Sequence, residues 1–234
     1  MQYQEEFISI VKELGQQYGT GRVFEDFVSM ASIELSQTAR VSVGLPKDGK
    51  EEEKYLRIVK QYKPTEIQEQ FIALLKNTIL GLEKENPDFL GHVFSVLELG
   101  NTSLGQFFTP WHICQLMAEI SLDNEKIKSD VGTVGFTSIC EPCCGSGAMI
   151  VAFADVFRKS GHDVSTQMFA LAQDISPVCA AMCHIQLSLF GIPAVVETTN
   201  VLLKDEPLWS RRTPMFYWMG WNHRLRRIEQ EVHH

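Results

Sequence analysis

Ile139-Cys-Glu-Pro-Cys-Cys-Gly-Ser-Gly147 is the stretch on which the reading of this chain turns. It joins a short apolar segment, Thr137 to Glu141, to an amphipathic one, Ala148 to Ser160, so the pattern predicts strand, tight turn and helix. Glycines in such a turn let the backbone approach a ligand without a Cβ clash. Free amides at the following helix N-terminus favour a carboxylate or phosphate. Taken alone, Gly-x-Gly equally describes an ordinary tight strand-to-helix turn.

The same grammar extends on both sides. Thr109-Pro110 opens a helix through about Leu122; Gly161 ends the helix after the turn; Met168 to Gln173 is a second strand. Ser176-Pro177 caps a helix that runs to Phe190 and stops at Gly191, and Ala194 to Thr198 is a third strand. Strand, helix, strand, helix, strand in this order predict an α/β fold, a parallel sheet with right-handed crossovers built like half of a Rossmann-type domain. Residues 2 to 100 instead keep helical spacing throughout, as in Phe7, Ile8, Ile10, Val11 and Leu14. Their breaks fall at Gly19-Thr-Gly21, at Gly44 to Gly49 and before Pro64-Thr65. Asn86, Pro87 and Asp88 read as N-cap, first helical position and first-turn acid of a helix ending near Gly100. The expected division is therefore 1–100, a helical N-terminal domain, and 101–234, the α/β domain.

Composition narrows the function classes. With 44% hydrophobic and 21% charged residues over 234, the chain buries a core, which excludes disorder. A net charge of −8 argues against a strong autonomous nucleic-acid clamp, and only residues 201 to 234 carry an excess of positive charge. No apolar run approaches the roughly 18 residues of a membrane span, and the polar start lacks a signal-peptide pattern. With six cysteines in motif-bound or buried-looking segments, a reducing cytoplasm is expected and no membrane partner.

Asp174 stands at the tip of the second strand, where a carboxylate can accept both hydroxyls of a ribose. Followed by Ile175-Ser176-Pro177, it could also be just a polar strand end before a helix cap. The order Gly105-Gln-Phe-Phe-Thr-Pro110, Glu141-Pro-Cys-Cys-Gly-Ser-Gly147, Gln173-Asp174 and Asn200-Val-Leu202 resembles the adenine-N6 DNA methyltransferases, in particular the modification subunits of type I restriction systems. Asp88-Phe-Leu-Gly91 with Val93-Phe94 extends the likeness upstream, to residues 86 to about 203. The resemblance implies a truncated Rossmann-like domain that binds S-adenosyl-L-methionine. Gln106, Phe107, Phe108, Thr109, Pro110 and Trp111, with Cys143, Cys144, Gly145, Ser146 and Gly147, would embrace the methionine end. Asp174 would hold the ribose, Ile175 would lie against the adenine, and Asn200 would approach its exocyclic amine.

One departure matters. Family members follow the third strand with Asn-Pro-Pro-Phe or Asp-Pro-Pro-Tyr, which grips the amine of a flipped base. Here Val201 onward contains only Thr213-Pro-Met-Phe-Tyr217, with no Asn or Asp beside the proline. Asn86-Pro-Asp-Phe89 comes within one residue of the signature but reads as a helix cap. Catalytic residues thus stay unassigned. The resemblance implies adenine-N6 methylation of DNA, reached with a protein partner that supplies target recognition. The departure keeps open a cofactor-binding, non-catalytic partner or decoy of a restriction-modification system, and a fold relic acting through protein contacts.

Two further patterns carry double readings. Cys140-x-x-Cys143-Cys144 and Cys179-x-x-x-Cys183-His184 can be drawn as a zinc site, but irregular spacing favours small buried hydrophobes and no metal. The tail interleaves Trp209, Tyr217, Trp218 and Trp221 with Arg211, Arg212, Arg224, Arg226 and Arg227. That suits a nucleic-acid or protein contact surface, or equally a last strand and helix whose aromatics complete the core while the arginines stay solvated.

Overall fold

The computed structural model describes residues 1–100, 108–203 and 206–232. Five helices come first: α1 (Gln2–Tyr18), α2 (Thr20–Ser42), α3 (Gly49–Val59), α4 (Ile72–Lys84), entered through a π-helical turn at Glu66–Phe71, and α5 (Phe89–Val96). Gly19 divides α1 from α2 at φ 90°, and the Asp48 carboxylate caps α3 by accepting from the Lys50 and Glu51 amides. α5 starts later than its sequence suggests. Asp88, not Asn86, is the capping position, Asn86 Oδ1 accepts from the Asp88 N–H at 2.9 Å, and the helix stops at Val96. The Asn86 side chain thus closes a local turn that competes with helix.

Next follow α6 (Trp111–Ser121), α7 (Asn124–Thr133), β1 (Thr137–Glu141), α8 (Ala148–Lys159), α9 (Val164–Gln167), β2 (Met168–Asp174), α10 (Pro177–Leu189) and β3 (Ala194–Thr198). β1, β2 and β3 pair in parallel, with Glu141 beside Ala172 and Asp174 beside Thr198. β4 (Trp209–Arg212) then joins β3 antiparallel, giving a four-stranded mixed sheet in the order β1-β2-β3-β4. α11 (Pro214–Trp218) and α12 (Trp221–Val232) close the chain. Among the described residues no helix is long and apolar enough to cross a membrane.

α10 explains how the parts hold together. It is buried continuously from Cys179 to Leu187, because it is apolar apart from His184 and Gln186, whose polar groups are hydrogen-bonded, and is covered on both sides. Cys179, Met182 and Ile185 join the core of α1, α2, α4 and α5, where Phe7 meets the rings of Phe24, Phe27 and Phe89 edge-on. Ala180, Cys183 and Leu187 join the core beneath the sheet. Phe216, Tyr217 and Trp221 of the tail form a third core with Phe136, packed against Phe169 and Val195 of the sheet.

Tyr217 and Trp221 therefore complete the core, as one of the two readings had it, and Trp209 packs partly against it, but Trp218 stays 54% exposed and the arginines are not all solvated. Arg211 is 3% exposed and donates to Glu51 of α3 at 2.6 Å. Arg224 lies 4.3 Å over the Trp221 ring and donates to the carbonyls of Thr166 and Gly135. Their stems and guanidinium planes serve as packing surface.

Candidate functional site

The tips of the three parallel strands are laced together by backbone amides. The Cys144 N–H donates to the Gln173 carbonyl at 2.8 Å and the Gly145 N–H to Asp174 Oδ2 at 2.9 Å. The Ser176 N–H donates to Asp174 Oδ1 at 2.8 Å, and the Thr199 N–H to the Asp174 carbonyl at 3.0 Å. Asp174 is thus the node at which turn, second strand and third strand meet. Each of its carboxylate oxygens accepts one bond and keeps a lone pair for another donor. Gly145 has φ 51°, which favours glycine, and a Cβ there would lie 3.0 Å from the Phe108 ring and crowd it, so the missing side chain lets the turn and the segment leading into α6 pack closely. Phe108 in turn meets Phe94 of α5 edge-on at 5.5 Å.

These elements enclose a cleft of about 870 Å³. Phe108 and Thr109 line it on one side, the turn and the start of α8 on another, and Asp174, Ile175, Thr199 and Asn200 at the strand tips. Its ionisable carboxylates are Asp174 and, from α2, Glu25; no Lys, Arg or His is among its described lining residues. Burial, with Asp26 beside it, raises the Glu25 carboxyl above its ordinary value. Such a cleft repels a phosphate and suits a ligand that brings positive charge.

Behind the turn is a buried support. Gln186 of α10 donates through Nε2 to the Ser146 carbonyl at 2.7 Å and to Asp88 Oδ1 at 3.0 Å, and its Oε1 accepts from the Leu90 N–H at 3.0 Å. All its amide groups are used. The Ser146 hydroxyl approaches the same carboxyl without a well-aligned bond. Burial raises the Asp88 carboxyl, opposed by the Ser146 hydroxyl, the Gln186 amide and the Gly91 backbone. A Cβ on Gly91 would come within 2.5 Å of both Asp88 oxygens, which requires glycine there.

The thiols of the turn are protonated. Contact with Cys183, then burial, holds Cys144 well above its ordinary value; burial and the carboxylates of Asp174 and Glu141 raise exposed Cys143. Burial pushes Cys114 of α6 up to about 11. Thiols in this state are poor nucleophiles and poor metal ligands.

A family model described as N-6 DNA Methylase matches residues 86–215, more than half of the chain. The chain belongs to that family of adenine-N6 DNA methyltransferases. Searches of curated proteins and of solved structures return no match. Within the methylase region the structure brings together Phe108, Thr109, Cys143, Cys144, Gly145, Ser146, Asp174, Ile175 and Asn200 around one cleft. Gly147 stands just behind them as the left-handed cap of α8, against Cys183. Pro110 caps α6 and Trp111 packs with Val151 and Ala154 in a separate crevice, so neither lines the cleft. Gln106 and Phe107 lie outside the described residues. Gly21 and Glu25, which line the cleft from α2, precede the methylase match; Gly21 reads in the sequence as part of a helix break but lies inside α2, and Glu25 carries no signal of its own. Nothing local distinguishes Glu25 from other positions of an amphipathic helix; only packing of α2 against α10 aims both at the cleft. Gln186 is equally silent, since a polar residue on a largely apolar helix reveals no partner.

Proposed function

We propose that the cleft binds S-adenosyl-L-methionine and that the chain is an adenine-N6 DNA methyltransferase on a truncated Rossmann-like sheet. The observation that carries this reading is the convergence of the glycine turn, Asp174, Ile175 and Asn200 on a cleft lined by acids and, among the described residues, by no basic side chain. The residues present fit the cofactor. Asp174 keeps acceptor capacity for two ribose hydroxyls, and Ile175, 67% exposed at the rim, offers an apolar face for the adenine. Asn200 can meet the exocyclic amine, and the opening amides of α8 favour the carboxylate of the methionine end. Bound there, the cofactor supplies an electrophilic methyl group on a sulfonium. The chain's residues position it, and the protonated thiols of Cys143 and Cys144 do not compete for the methyl group. Free thiols and a DNA substrate fit the cytoplasm.

Base activation is the part this chain does not display. Asn200 is followed by Val201-Leu202, and β4 runs antiparallel with Trp-Ser-Arg-Arg in place of an acid or amide beside proline. In this reading a partner subunit supplies the acceptors for the target amine together with sequence recognition. The alternative against which this reading is tested is a cofactor-binding partner or decoy that transfers nothing.

Calorimetric titration of the purified chain with S-adenosylmethionine tests the pocket. Saturable binding, weakened about tenfold or more by Asp174→Ala through loss of bonds to a half-buried acceptor, is the expected result; no binding by folded, cofactor-free protein overturns the proposal. Transfer of labelled methyl to unmethylated DNA then separates the enzyme from the non-catalytic partner.

A further inference from the structure

A second cavity, of about 360 Å³, adjoins the cleft and shares Glu25 and Val178 with it, but where the cleft has only acids this cavity sets three basic side chains against the carboxylates of Glu25 and Asp26. It lies where α2 and α3 face the start of α10 and β4, and Lys54, Arg57 and Arg211 line it. Lys54 and Arg57 are three residues apart on α3 and so present one face. Neither makes an ion pair or side-chain hydrogen bond among the described residues, although the chain is acidic overall.

The acids nearby are committed elsewhere. Glu51 is held by Arg211, Asp26 accepts from the Tyr62 hydroxyl at 2.8 Å and lies 3.6 Å from Arg22, and the charge that raises Glu25 is Asp26, not a cation. Burial and the charge of Arg211, then that of Arg57, lower the Lys54 ammonium and outweigh the opposing carboxylates of Glu51 and Asp26, so a further anion would relieve the cations held together here. The Ser29 hydroxyl, which also lines this cavity, is buried with no hydrogen-bond partner among the described residues. An unused donor beside two unpaired cations is the donor set of a phosphate site.

We propose that Lys54, Arg57 and Ser29 hold a phosphate of the DNA backbone beside the cofactor cleft, which rests on the reading of the chain as a DNA methyltransferase. A phosphate held there runs a strand past the shared wall of Glu25 and Val178 into the acid-lined cleft, which itself repels phosphates and leaves room for a base. The family-matched region begins at residue 86, so this phosphate is gripped by the preceding helices.

The test is fluorescence anisotropy of a labelled duplex titrated with the full-length chain over a series of NaCl concentrations, without cofactor. In Lys54→Gln/Arg57→Gln the affinity is expected to fall about tenfold at low salt, and the slope of log affinity against log salt to shrink by about 0.9 for each phosphate that is no longer neutralised. Lys54→Arg is expected to keep both at the wild-type level. Thermal unfolding of each variant confirms the fold, and S-adenosylmethionine titration is expected to be unchanged. Wild-type affinity and slope in the double variant overturn the proposal, as does a wild-type chain that binds no duplex. Calorimetric binding of inorganic phosphate that disappears in the variants, with DNA binding unaltered, reassigns the site to a free phosphate and overturns the backbone assignment. Absence of S-adenosylmethionine binding in the wild type with the duplex result intact fails the cofactor reading alone.

Discussion

Two buried polar clusters join the N-terminal helices to α10, and they are built on opposite principles. At the turn, Gln186 answers Leu90, Asp88 and Ser146 with a neutral amide, and the carboxyl it touches is in no ion pair among the described residues, with only the charge of His92 acting on it from nearby. Two residues earlier on α10, His184 stands in a charged cluster. The Arg211 guanidinium donates to Ser32 Oγ at 2.9 Å and to Glu51; Ser32 and His184 Nδ1 are 3.0 Å apart; His184 Nε2 lies 3.1 Å from the Arg212 carbonyl. A carbonyl only accepts, so Nε2 carries the proton, Nδ1 accepts from the Ser32 hydroxyl, and one neutral tautomer is enforced. The serine and histidine adjoin as in a nucleophilic dyad, yet both are fully buried and their donors are spent on structure. The difference teaches that one helix can serve a site with an amide that gives and accepts at once, and secure a strand with an ion pair, at opposite dependence on pH.

That opposition is open to measurement. Burial and the Arg211 charge lower His184 from 6.5 to about 3. Its contribution is therefore present above about pH 6.5 and is lost as pH falls toward 3, on the order of 5 kcal/mol in all. Denaturant unfolding of His184→Gln across that range is expected to show a flattened acid limb; an unchanged limb would place the loss in other groups. Arg211→Met leaves the Glu51 carboxylate and Ser32 without their donor and is expected to cost about 3 kcal/mol. By calorimetry that lowers the unfolding temperature by about 9 °C for a chain of this size.

On the other side, Gln186→Leu strands three polar partners behind the turn, at about 2 kcal/mol. It should also weaken S-adenosylmethionine binding, whereas Arg211→Met should not, and equal effects on binding would erase the distinction between the two clusters. The smallest effect has the reverse sign. Asp88 is raised, so its contribution is fully present below the ordinary carboxyl value near 4 and is lost as pH rises through the folded value. Asp88→Asn is expected to gain about 1 kcal/mol over wild type at pH 7 and nothing at pH 4 by relieving an unpaired buried charge; a loss at pH 7 would mean the carboxylate is better satisfied than its surroundings indicate.

Much of the site was legible because its signals are local. The Thr137–Glu141 strand, the Cys143–Gly147 turn, Ala148–Lys159 and the Ser176 cap of α10 each follow from residues within a few positions, and parallel pairing follows from their alternation. Asp174 was legible by its place at a strand tip, but its bonds to Gly145 and Ser176 were not. Asn86-Pro-Asp suggested a helix start that a side-chain turn displaced. The Arg and Trp composition of the tail admitted either surface or core, and only the approach of α3 decided that Arg211 is buried while its neighbours pack on rings.

By itself, then, the sequence determined the order of elements, the glycine turn with its acid, and membership in a DNA methylase family, because periodicity, capping and backbone conformation are set by neighbours along the chain. The tertiary structure alone decided that α10 is shared by two cores, that Glu25 faces the cleft, and that Lys54 and Arg57 go unpaired beside it. Those outcomes depend on which helix faces lie opposite one another across intervals of tens of residues, and no local spacing encodes that.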